Sequence, residues 1–297
     1  LQHVYPKATG SIKFAPAGTG SQTTADSKYQ KTNTSQFLSF DGGPRVNSTY
    51  STEKSMGTNL SINPVLGNTV EFWLKKESFE NTYNEVILDV HTPGNLASSN
   101  AYGRILIEMS GSSASSPFVF SYCSASSGFI NQTIGSGITP VTIADNEWHH
   151  YALTVANEGN TLQARLYIDG KLNDTITTGT AMNPVVSNTT ARIGALGVTN
   201  RGLGAAGWGQ LSASVDHFRF WRAARNPKEI GMNFDRPVYG GTPKDSSNPY
   251  LGVYFKFNEG ITGISDTDST VLDFSGRVNN AIFEGYIPEN RSLETAI

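Results

Sequence analysis

The chain has 297 residues, enough for one large domain with extensions or two smaller ones. Hydrophobic residues are 37% and charged residues only 16%, with Gly, Ser, Thr and Asn filling much of the rest, which suits a turn-rich all-β protein solubilised by hydroxyls and amides. A net charge of −3 without a basic stripe excludes the footprint of a nucleic-acid binder, and no apolar run approaches the ~20 residues of a membrane span.

Residues 1–36 are rich in Ser, Thr, Gly, Lys and Gln and read as an extended polar arm, with "SIKFA" a candidate edge strand. The chain opens at Leu1 without a basic-then-apolar leader, which points to a processed product or a piece of a longer polypeptide. From Phe37 the texture changes. "FLSFDGG" is a short apolar run stopped by a turn. "NTVEFWLKK" alternates Val70, Phe72 and Leu74 against Glu71, Trp73 and Lys75, and Trp73 makes both faces apolar, as in a central strand between layers. "NEVILDVH", "YGRILIEMS" and "SPFVFSYCS" follow as strands, the last carrying the lone Cys123, which reads as a buried thiol.

"NEWHHYALTVA" and "LQARLYIDGKLNDT" make the clearest pair. The second contains Asp169-Gly170, a dipeptide that closes tight hairpins because both positions tolerate positive φ. "TARIGALG" and "SASVDHFRFWRAA" are further strands. "NPKEIGMNF" is the one helical turn, with Asn226 to cap it, Pro227 at the first position and Glu229 to complete a capping box. Residues 237–249 form a Pro/Gly/Ser linker. Residues 250–297 then supply strands that complete the first sandwich or begin a second unit. Phe72, Trp73, Trp148, Tyr151, Leu153, Leu166, Ile168, Phe218 and Phe220 are the expected core.

"LSFDGG", "TVEFWLKK", "EWHHYALTV" with "LYIDGKL", "ARIGALG" and "VDHFRFWRAARNPKEI" together resemble, in order, the motifs of the laminin G-like/concanavalin A-like lectin family, over residues 37–236. The resemblance implies an all-β fold: a two-layer antiparallel β-sandwich of the concanavalin A-like jelly-roll type. The late "YLGVYFKFNEGITG" resembles a segment that usually precedes the "FDG" strand, an arrangement similar to that of virion structural proteins of tailed bacteriophages.

Trp73, Trp148 and Trp221 sit in strand motifs and read as core. Trp208 lies in the Gly-rich "RGLGAAGWGQ" and reads as a loop platform, so Trp208, Arg201 and Gln210 form the candidate ligand-binding set. His149 and His150 are adjacent on a strand and face opposite sides, so they cannot share an ion. Asp89 and His91 share a face, but two ligands do not make a metal site. Asp266, Asp268 and Asp273 offer oxygens of the kind calcium takes, yet the glycine and terminal Glu of an EF-hand loop are missing and no ligand set maps onto them. No cofactor and no metal site is therefore expected, with calcium left open by the fold's relatives.

Glycosidases need two carboxylates across one sugar bond. Glu71 is followed at strand spacing by Trp73, and no E-x-D-x-E, G-x-S-x-G, P-loop or Cys/His motif occurs, so the sequence predicts no catalytic residues and no enzyme. The first functional reading is a lectin-like structural or decoration module of a phage virion. It would touch other copies of itself or other virion proteins, with cell-surface glycan as a further candidate partner, and its location would be virion or extracellular. The alternative is a secreted bacterial carbohydrate-binding module or adhesin. A glycan-cleaving enzyme is the least favoured, and neither nucleic acid nor membrane insertion is expected.

Overall fold

A computed structural model describes residues 9–14, 28–29, 36–42, 59–79, 83–93, 102–112, 115–198, 206–238, 250–277 and 279–297. In chain order its strands are β1 (Ser11–Phe14), β2 (Phe37–Asp41), β3 (Asn68–Lys75), β4 (Asn84–His91), β5 (Gly103–Ser110), β6 (Phe118–Ser124), β7 (Ser127–Ile134) and β8 (Trp148–Glu158). They continue as β9 (Thr161–Ile168), β10 (Lys171–Thr178), β11 (Thr190–Ile193), β12 (Ala213–Trp221), β13 (Leu251–Phe255), β14 (Thr270–Val271), β15 (Ala281–Glu284) and β16 (Arg291–Ser292).

These form two eight-stranded sheets. The first runs β10-β9-β8-β3-β12-β1-β16, and β13 also pairs with β12; the second runs β14-β15-β2-β11-β4-β5-β6-β7. Adjacent strands run antiparallel throughout. The fold is an all-β, two-layer antiparallel sandwich of the concanavalin A-like jelly-roll type. Strands after residue 250 enter both sheets: β13 and β16 join the first, β14 and β15 the second. The "SIKFA" segment is not an edge, because β1 is paired on both sides, by β12 and β16.

Alternation builds the core. Val70, Phe72 and Leu74 of β3 point between the sheets and pack with Tyr151, Leu153, Phe118 and Phe120. In β12 the apolar spacing skips from Val215 to Phe218, and the register shifts there. His217 takes φ 45° at this point. The extra residue returns Phe218 and Phe220 to the core face, the role of a β-bulge. The β9–β10 hairpin closes on Asp169 (φ 48°) and Gly170 (φ 75°). Gly170 is also required by packing, since a Cβ there would lie 2.6 Å from the Phe234 ring.

Two expected core residues are only half-buried. Trp148 stands on the outer face of its sheet, opposite Lys75, and Ile168, at the end of β9, packs at the margin of the core. Trp73 is buried, but on the outer face of its sheet. A third, local layer covers it: the helix Pro227–Asn233, capped by Asn226 and Glu229 as its sequence predicts. The Trp73 indole N–H donates to the Phe234 carbonyl at 3.1 Å, and the two rings stack with centroids 6.1 Å apart. Beside them Glu71 accepts from Arg225 at 2.7 Å and Arg219 at 3.2 Å. Burial alone would raise the Glu71 pKa, but the two guanidiniums and His150 outweigh it and hold the carboxylate below its usual range.

Candidate functional site

Strand register places four side chains in a row on the outer face of the first sheet. Lys13 of β1 stands opposite Ser214 of β12, Ser214 opposite Lys75 of β3, and Lys75 opposite Trp148 of β8. Four neighbouring strands span ~14 Å at the usual strand spacing. The helix that covers Trp73 does not bury this row: Lys13 is exposed and the other three are half-buried. Three of the four border a cleft of about 390 Å³, a volume typical of small-molecule sites, and Trp148 adjoins it through Glu294. Lys13, Lys75 and Ser214 line it, together with Glu77, Asn146 and Glu294.

The floor is fixed by a buried ion pair. Lys76, fully buried, donates to both oxygens of Glu85 at 2.9 and 2.8 Å and to the Ser212 carbonyl at 2.8 Å. The Ser212 N–H returns a bond to Glu85 at 2.9 Å. This ties the end of β3 to the start of β12, the two strands that carry Lys75 and Ser214.

One wall comes from residues 290–296. Asn290 donates to the Lys13 carbonyl at 2.8 Å, and Arg291 spans to Glu259 and to the carbonyls of Asp268 and Thr270. Further on, the Ala296 N–H and the Thr295 hydroxyl both donate to Asp216, at 2.8 and 2.9 Å. Between these anchors Glu294 is laid over the row. Its Oε1 accepts from Lys75 Nζ at 2.6 Å and from the Trp148 indole N–H at 3.1 Å. The bond from Lys75 holds the Glu294 carboxyl below its usual range, with burial opposing and Trp148 adding to the effect. Among the described residues, Glu294 Oε2, the Glu77 carboxylate, the Lys13 ammonium and the side-chain amide of Asn146 make no hydrogen bond within the protein.

The residues singled out in the sequence are placed differently. Trp208 is half-buried against Tyr29, Val86, Leu106 and Leu196, on the outer face of the second sheet. Its carbonyl accepts from the Leu196 N–H, and Gln210 is buried. Arg201 lies outside the described residues. Asp89 is engaged by Arg104, with two bonds of 2.8 Å, rather than by His91. His149 bridges Asp169 and Asp145 at 2.8 and 2.9 Å, while His150 is buried beside Trp73. Asp268 accepts from the N–H groups of Thr262 and Gly263, and Asp273 from those of Tyr254, Ser275 and Asn279. Both therefore shape their own loops, and Asp266 is exposed. Trp148, Lys75 and Glu294 carry no site signal of their own in the sequence. The polar outward positions of β3 were the available signal, but the partner strands were not.

No curated protein matches the chain in sequence. Among solved structures, it resembles a candidate carbohydrate-binding protein from Bacteroides ovatus at 14% identity and a TM-score of 0.49, covering 92% of this chain and 58% of that one, so the chain spans well under two thirds of that relative. It also resembles the heptameric SAP-like pentraxin of Limulus polyphemus, at 14% identity and TM-score 0.40 over 78% of this chain and 87% of that one. The third is the CBM40 of the Ruminococcus gnavus IT-sialidase bound to α2,3 sialyllactose, at 14% identity and TM-score 0.41 over 70% and 97%. The model of the concanavalin A-like lectin/glucanase superfamily matches residues 47–231, more than half of the chain, and the chain belongs to that superfamily.

Proposed function

We propose that the chain is a non-catalytic carbohydrate-binding module and that the cleft beside Trp148 is its glycan site. The observation that carries this reading is a concave site whose polar groups are largely unspent and mixed in kind. Sugars present hydroxyls that both donate and accept, and a half-exposed indole beside such groups offers a ring face for stacking. At Trp208 the indole packs on four apolar side chains instead, so we locate the ligand at the cleft.

The superfamily's description spans lectins and glucanases, and the carboxylates favour the lectin side. A glycosidase needs a general acid of raised pKa in its cleft. Glu294 is shifted the opposite way. Asp216 is raised, to about 6 by burial, but it is sealed beneath the 295–296 segment and already accepts from the Thr295 hydroxyl and the Ala296 N–H. The family match speaks for carbohydrate binding and carries nothing about a particle. A secreted or surface-attached binding module or adhesin is thus better supported than a virion component.

The test is a glycan array followed by calorimetry. Binding should be lost in Trp148→Ala and kept in Trp208→Ala. Loss only in the Trp208 variant would move the site to the second sheet, and release of reducing sugar by the wild type would end the non-catalytic reading.

A further inference from the structure

We propose that the cleft selects a neutral oligosaccharide of at least two pyranose units, laid across β1, β12, β3 and β8; this rests on the carbohydrate-binding reading above. Charge balance argues for neutrality. The lining carries two cations, Lys13 and Lys75, and two carboxylates, Glu77 and Glu294, so an acidic sugar gains no net field. The charge of Lys75 is moreover already matched by Glu294 at 2.6 Å. The groups left open are two carboxylate acceptors, one ammonium and one amide. Glu294, held ionised with Oε2 free, accepts from vicinal hydroxyls, while Lys13 and Asn146 donate to ring and hydroxyl oxygens.

Length argues for more than one unit. Trp148 stands at one end of the row and Lys13 at the other, ~14 Å apart at ordinary strand spacing, farther than one sugar ring reaches. A ring on Trp148 therefore leaves Lys13 to a second ring.

Calorimetry on the full chain tests this with neutral and uronate oligosaccharides of matched length, at low and high salt. Neutral ligands should bind with affinities that change less than about twofold with salt. The matched monosaccharide should bind at least about tenfold more weakly. Glu294→Gln should cost roughly ten- to a hundredfold in affinity, the worth of hydrogen bonds to a charged group. Lys13→Ala, an exposed change, should weaken the oligosaccharide more than the monosaccharide. Binding restricted to uronates and abolished by salt would overturn the inference while leaving glycan binding intact. Equal affinity for mono- and oligosaccharide, or an unaffected Glu294→Gln with an unchanged melting temperature, would overturn it too. Absence of binding to any glycan would remove the underlying reading as well.

Discussion

One face of β3 carries Glu71, Trp73 and Lys75, and its two halves differ. At Glu71 and Trp73 the helix Pro227–Asn233 and Phe234 close over the sheet, and both side chains find partners inside the protein: two arginines on Glu71, a backbone carbonyl on the Trp73 indole. At Lys75, one side-chain repeat along, only Glu294 reaches over, and it leaves an oxygen, a neighbouring lysine and a second carboxylate unpaired among the described residues. The same strand, with the same alternation, is closed where a helix covers it and open where only the 290–296 segment reaches over it. Coverage, rather than residue type, separates the two halves: both contain a Trp, a cation and a carboxylate.

The comparison predicts its largest effect on the covered half. Glu71→Ala strands two buried guanidiniums, and breaking a buried pair in this way typically costs ~3–5 kcal/mol. Urea denaturation should show a loss of that size, with no comparable loss for Glu294→Ala on the open half. Equal losses would mean the open half is structural too.

Acid should expose the covered half next. Burial, reinforced by nearby cations, lowers His150 to about 4 and His217 to about 3, and it lowers His91 as well. A histidine whose folded pKa is depressed contributes stability that is full above its ordinary value and is lost as pH falls toward the folded one. Asp216 runs the other way: raised to about 6, it contributes below the ordinary carboxylate range and loses that contribution as pH rises through about 6. The three lowered histidines outnumber it, while His149, where burial is outweighed by Asp169 and Asp145, is raised and opposes them only at the upper end. Stability should therefore fall between about pH 6.5 and 4.5 with a slope on the order of 1.4 kcal/mol per unit, the value for one net proton. His150→Gln should flatten that slope; a flat wild-type profile would show that these groups do not stay buried and neutral.

Much of the covered half was legible in the sequence. Asn226, Pro227 and Glu229 announced the helix, Asp169-Gly170 the hairpin, and the Phe-Trp of β3 a strand with two apolar faces. All are local signals. The open half was not legible, because the row Lys13, Ser214, Lys75 and Trp148 depends on the register of four strands spread over two hundred positions of the chain. Alternation tells which side of β8 Trp148 takes; it does not tell that the capping helix stops short of it. Trp208 differs in the opposite direction. Its neighbours in sequence are glycines, while its packing partners Tyr29, Val86 and Leu106 come from distant segments. Trp208→Ala should accordingly cost ~2 kcal/mol of stability, the worth of a buried apolar side chain, and leave glycan affinity alone. Thermal melts beside calorimetry separate these outcomes; intact stability with lost binding would restore the loop platform.

The smallest effect tests how the open half is held. Thr295 donates to Asp216 next to the Ala296 N–H, and together the two bonds fix the segment that carries Glu294. Thr295→Val keeps shape and removes one of them, at a cost of ~1 kcal/mol. If the segment merely packs, stability falls by that amount and ligand affinity does not move. If it positions Glu294 over Lys75 and Trp148, affinity should fall severalfold in addition, because the carboxylate must be re-fixed when a sugar binds. Thr295→Ser, which keeps the donor, should restore affinity. Rescue of binding by serine is the informative result, since a purely packing role for the threonine would respond to the lost methyl and not to the hydroxyl.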